Sequence, residues 1–165
     1  MKIGKGVEWS AHTCALLALL PEGAALAGEA LAEFLGLQPT YLAKQLQAMS
    51  RAGIVKAKRG VSGGYRLARP AEDISLWDIT AAVEGAMPLF RCTEVRRAGP
   101  CGAAAAECKR PCAIAAAFRT AESGYREALS TVRLPQIVSE IAAGAAPARK
   151  RRITRWVEQN AALAI

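Results

Sequence analysis

The chain has 165 residues, enough for one compact domain or for a small domain with an oligomerisation appendage. Its 52% hydrophobic content with only 5% aromatics rests the core on Ala, Leu, Val and Ile, a composition that favours helices over sheets. The formal net charge of +8 points to a polyanionic partner, nucleic acid ahead of a membrane surface, and no Ser/His/Asp set, phosphate loop or carboxylate pair supports hydrolysis or phosphoryl transfer.

From Val7 to Leu20 the residues Trp9, Leu16, Leu19 and Leu20 recur at helical spacing until Pro21 and Gly23 stop the run. Ala27 to Leu35 reads as a second short helix ended by Gly36. Pro39 opens a third, with Tyr41, Leu42, Leu46 and Met49 placed on one face. Two short helices joined by Gly-Leu-Gln-Pro form a helix-turn-helix candidate. Short strands, Ala52 to Ala57 and Tyr65 to Leu67, flank the Gly-rich tip Arg59 to Gly64. A hairpin directly after a helix-turn-helix is a wing.

Pro70 ends the wing, and Ser75 is expected to cap a fourth helix, with Asp78 at its third position and a stop near Gly85. Residues 88–112 hold three prolines, two glycines and four cysteines, and read as an irregular loop. Ile114, Phe118, Ala121, Tyr125, Leu129 and Val132 then mark a long amphipathic helix whose stripe predicts a dimer interface. A short helix from Ile137 to Ala143 leads into a basic C-terminal tail for which the pattern predicts no firm structure. The expected fold is mostly α: a winged helix-turn-helix domain over 1–87, a cysteine-rich loop over 88–112, a dimerisation helix region over 113–145 and the tail over 146–165.

From Lys44 to Arg69 there are seven basic residues and no acidic one. A helix entering the major groove needs polar residues on its exposed N-terminal face and cations nearby for phosphates. The third helix offers Gln38, Thr40, Tyr41, Lys44 and Gln45, with Gln suited to adenine and the hydroxyls to phosphates or base edges. In the wing, Arg59, Ser62, Gly63, Gly64, Tyr65 and Arg66 combine backbone amides that approach closely with flanking charge. The expected partner is a double-stranded DNA operator.

The opening residues are followed by no cleavable apolar segment, and no apolar run reaches membrane-spanning length, which predicts a cytoplasmic protein without a membrane partner. Structural disulfides are disfavoured there, so the five cysteines need another account. Cys92, Cys101, Cys108 and Cys112 are spaced by nine, seven and four, which fits neither a Cys-x-x-Cys zinc knuckle nor a ferredoxin run. Cys112 opens the long helix, whose positive end favours a thiolate. Glu8 and His12, the single histidine, are four apart and share a helix face from which both can ligate one metal. Cys14 is expected to be a buried, inert thiol.

The stretches Pro39-Thr-Tyr-Leu-Ala-Lys-Gln-Leu, Arg51-Ala-Gly-Ile-Val, Arg59-Gly-Val-Ser-Gly-Gly-Tyr-Arg-Leu-Ala-Arg-Pro, Ile74-Ser-Leu-Trp-Asp-Ile and Ala82-Val-Glu-Gly together resemble the Rrf-type (IscR/NsrR-like) winged helix-turn-helix transcriptional regulators, over roughly residues 1–135. The opening Gly6-Val-Glu-Trp-x-x-His12 is similar to a subgroup of that family. The resemblance implies a homodimer in which the long helix crosses to the partner. It also implies an iron-sulfur cluster, with Cys92 and Cys112 matching the family's first and last ligands and Cys101 and Cys108 competing for the middle place. An acidic ligand from the partner subunit falls on Glu8, and His12 adds an imidazole one turn later. Two thiolates with Glu and His suit a 2Fe-2S cluster, because non-cysteine ligands are tolerated on one iron. The function expected is a non-enzymatic regulator that senses redox state, nitric oxide or oxygen. Alternatives are the same DNA-binding dimer with a thiol-disulfide or zinc switch and, more distantly, a thiol oxidoreductase using Cys108 and Cys112, whose spacing is not Cys-x-x-Cys.

Overall fold

A computed structural model describes residues 3–58, 60 and 63–163. The apolar spacing of the first third folds as three helices, α1 (Lys5–Leu17), α2 (Gly28–Leu35) and α3 (Pro39–Arg51). α1 begins and ends a little earlier than its pattern predicts, with Ala18 to Leu20 in a turn. α2 stops at Gly36, whose φ of 64° only glycine adopts without strain; the Leu37 N–H then closes the end on Ala32 O at 2.9 Å. α3 buries Leu42, Leu46 and Met49 as expected. Tyr41 departs from that face: it is 62% exposed, because a position one residue before Leu42 is turned about 100° from it.

The two-residue strand β1 (Ala24–Ala25) precedes α2, and β2 (Val55–Lys58) pairs antiparallel with β3 (Gly64–Leu67) in the register Val55 to Leu67 and Lys56 to Arg66. The hairpin is tied to the start of α2 by reciprocal bonds: Tyr65 N–H to Leu26 O at 2.7 Å and Leu26 N–H to Tyr65 O at 3.0 Å. That approach requires glycine at position 64, since a Cβ there would lie 2.5 Å from Leu26 O.

The fourth helix, α4 (Leu76–Glu84), starts on the anticipated capping box. The Asp78 N–H donates to Ser75 Oγ while the Ser75 N–H donates back to Asp78 Oδ2. The long helix is α5 (Ala113–Thr131), and α6 (Leu134–Gly144) folds back onto the winged domain through Leu76 N–H to Val132 O and Leu134 N–H to Ile74 O. Leu134 therefore joins Leu26, Leu31, Leu42, Leu46, Met49, Ile54, Ile74 and Ile79 in one core.

The segment expected to lack firm structure is a helix, α7 (Pro147–Asn160), followed by β4 (Ala162–Leu163), which pairs with β1. Ile153, Trp156 and Val157 form a narrow apolar stripe among the arginines; Val157 is buried, and the Trp156 ring lies 4.8 Å from that of Phe34. Tertiary burial of that stripe orders a segment whose local pattern predicts no firm structure.

Candidate DNA interface and metal centre

Gln38, Thr40, Tyr41 and Lys44 are all exposed, on the N-terminal part of α3 and its cap. Gln45 is half-buried and turned toward α1: a Cβ on Gly6 would lie 3.0 Å from its amide. Trp9 of α1 packs beside Tyr41, ring centroids 6.4 Å apart. In the hairpin, Lys56 and Arg66 oppose each other, so two cations stand at one level of the wing. Gly63, Gly64, Tyr65 and Arg66 are half-buried, and the Tyr65 ring rests on Gly28, giving it a structural task as well. Arg59 and Ser62, assigned to the wing from the sequence, lie outside the described residues.

The loop after α4 carries the cysteines and contains two short 3-10 turns, Val95–Arg97 and Ala105–Cys108. All four loop cysteines are free thiols, Cys92 and Cys101 exposed, Cys108 and Cys112 half-buried. Cys112 is the N-cap of α5, its Sγ accepting the Ala115 N–H at 3.3 Å. Cys92 Sγ accepts the Glu94 N–H at 3.4 Å and lines a shallow groove together with Ala115. Two backbone N–H donors are thus already aimed at these sulfurs, and hydrogen bonds to sulfur tune metal-bound thiolates.

Two residues without any sequence signal organise this loop. Glu94 adopts a left-handed backbone, φ 53°, and grips Arg96 with both carboxylate oxygens, while Arg96 also donates to Arg110 O at 3.0 Å. Hydrogen bonding to Glu94, together with the Glu94 charge, raises the already high pKa of the Arg96 guanidinium. Cys101 sits on a turn closed by Gly102 N–H to Gly99 O.

Glu8 and His12 are exposed on the outer face of α1. Within one chain, among the described residues, no three His, Cys, Asp or Glu side chains gather closely enough to hold a metal ion. The opposite face of α1 is held firmly. The Gly4 N–H donates to Glu84 Oε1 of α4, which accounts for the glutamate of the Ala-Val-Glu-Gly stretch as a cap for the positive end of α1. Cys14 is buried, 3.5 Å from Met49 Sδ, and burial pushes its thiol up to about 12.

The model of the Rrf2 family, described as iron-dependent transcriptional regulator, matches residues 3–140. The chain belongs to the Rrf2 family. Its curated relatives include YffB of Lactococcus lactis, described as an HTH-type transcriptional regulator, 32% identical over 140 residues that cover 85% of this chain and 88% of that one. Among solved structures, the Rrf2 fold seen here is shared with CymR (YrzC), the global cysteine regulator of Bacillus subtilis, at a TM-score of 0.65 and 21% identity over 85% of this chain and 98% of that one. It is shared also with T. potens IscR, at 0.62 and 24% over 88% and 93%. The Rrf2 assignment makes the protein a transcriptional regulator and not an enzyme. No helix among the described residues is long and apolar enough to cross a membrane.

Proposed function

We propose that this Rrf2 regulator binds operator DNA as a cytoplasmic homodimer, with α3 and the wing, and senses redox state, nitric oxide or oxygen through a 2Fe-2S cluster. Cys92 and Cys112 of one protomer hold the cluster together with Glu8 and His12 of the other, with Cys108 and Cys101 as the remaining candidates among the loop thiols. The observation that carries this reading is the pair of sulfurs, Cys92 and Cys112, each already accepting a backbone N–H beside the start of α5. When bound, the cluster supplies reversible electron uptake and sensitivity to small oxidants. The chain's own part is positional. Glu94 and Arg96 fix the loop, and α1 carries Glu8 and His12 outward while its Gly6 and Trp9 rest on Gln45 and Tyr41 of α3. A shift of α1 is thereby passed to the DNA-reading helix through direct packing.

The four free loop thiols and the fold shared with a cysteine regulator favour a second reading, a thiol-disulfide or zinc switch on the same DNA-binding dimer. Anaerobic purification with visible absorption and iron and sulfide analysis separates the two. The cluster reading expects a coloured protein with iron and sulfide, altered in Glu8→Ala and His12→Ala; a colourless, iron-free protein overturns it, and zinc alone supports the second reading. For the interface, Lys44→Ala is expected to weaken operator binding and to lower the salt slope by about one ion.

A further inference from the structure

Between α1, α2, α6 and α7 lies a cavity of about 280 Å³, at the small end of ligand pockets. Leu16, Phe34, Ile141 and Ile153 give it apolar walls, one from each helix, and Arg149 and Lys150, with His12 of α1, line its exposed edge. These cations belong to the basic run Arg149 to Arg152 in the opening turns of α7, which has no acidic residue in its first turn. Cations are unfavourable at that end of a helix, where the backbone dipole is already positive. Among the described residues, the ion pairs are Arg69 with Asp78, Arg96 with Glu94 and Arg126 with Glu122, so none relieves the run.

We propose that this slot binds a small organic anion with an apolar body, of the medium-chain or aryl carboxylate class, its charge held by Arg149 and Lys150 and its body between the four helices. The two features needed by such a ligand coincide: an apolar slot of limited volume and cations without an ion-pair partner at its mouth. Duplex DNA would meet the cations but leaves the apolar walls unfilled.

The probe is octanoate, titrated calorimetrically into the purified dimer, with octan-1-ol as the uncharged body and acetate as the bare charge. Saturable octanoate binding is expected, weakened about tenfold or more when the carboxylate or the pair of cations is removed, as for loss of a charge-assisted hydrogen bond. The second case is the double variant Arg149→Ala, Lys150→Ala; Ala142→Trp, which fills the slot from α6, should abolish binding. Absence of saturable binding, equal binding of acetate, or octanoate affinity unchanged in the double variant overturns the proposal. It is also overturned if the double variant keeps octanoate affinity and lowers the salt slope of DNA binding, which assigns the basic run to DNA, or if Ala142→Trp changes the dimer's mass without octanoate ever binding. The double variant leaves Glu8, His12 and the cysteines untouched, so its iron content stays at the parent's level and failure here is distinguishable from failure of the cluster reading.

Discussion

The Asp78 carboxylate accepts from the Ser75 N–H at 2.7 Å and from its hydroxyl at 2.6 Å, and lies 3.4 Å from Arg69. Burial works to raise its pKa, but the Ser75 bonds and the Arg69 charge outweigh burial and hold it below the ordinary carboxylate value. The unfolded chain therefore takes up the proton more readily. The stability Asp78 contributes is present at neutral pH and is lost as the pH falls below about 4. Ser75→Ala is expected to cost about 1 kcal/mol at pH 7, with the difference from the parent narrowing in acid. Urea denaturation at the two pH values measures it, and a constant difference would uncouple the cap from the proton. The cap was legible because Ser75 and Asp78 stand three apart. Cys14 is different in kind: its burial at 0% exposure keeps it protonated. Iodoacetamide at pH 8 should alkylate Cys92 and Cys101 of the metal-free protein and spare Cys14 until denaturant is added, as read by peptide mass spectrometry.

At the scale of elements, apolar spacing and the Ser75 capping box located the four α-helices of the winged domain, since a helix shows its face or its cap within two turns of sequence. α7 escaped for the same reason. Its stripe is only Ile153, Trp156 and Val157, and five basic residues between Arg149 and Arg155 hide it. What orders α7 is distant: Phe34 of α2 meets the Trp156 ring at a 54° tilt, and β4 closes on β1. Trp156→Ala is expected to destabilise the protein by about 3 kcal/mol, with Trp156→Phe recovering most of the loss. A Trp156→Ala urea midpoint equal to the parent's would mean that α7 contributes nothing to the core.

For the molecule as a whole, the informative surface is the outer stripe of α5. Ile114 is 64% and Phe118 52% exposed, and Phe118 stacks on Phe90 at 4.5 Å without being covered. The base of the helix is anchored instead, with Tyr125 edge-on to Trp77 and Arg126 4.8 Å above the same indole. An uncovered stripe and ligand candidates that do not converge within one chain are both accounted for by the proposed dimer. Sharing of the site across protomers has a direct check. A chain carrying Glu8→Ala and His12→Ala, mixed with one carrying Cys92→Ser and Cys112→Ser, should form heterodimers with one complete and one empty site. Iron retention in the isolated heterodimer but in neither homodimer is the expected outcome, and iron-free heterodimers would place the whole ligand set within one protomer.

By itself the amino-acid sequence determined the order of the four α-helices and the hairpin of the winged domain, the Ser75 cap and the clustering of thiols in one loop. Each of these depends on residues a few positions apart. Only the tertiary structure decided that Tyr41 faces outward, that Gln45 turns toward Gly6, that Glu94 and Arg96 clamp the cysteine loop and that Glu84 caps a helix eighty residues earlier in the chain. Such contacts are chosen by packing and by the backbone groups left unpaired once the helices meet, and no local spacing encodes them.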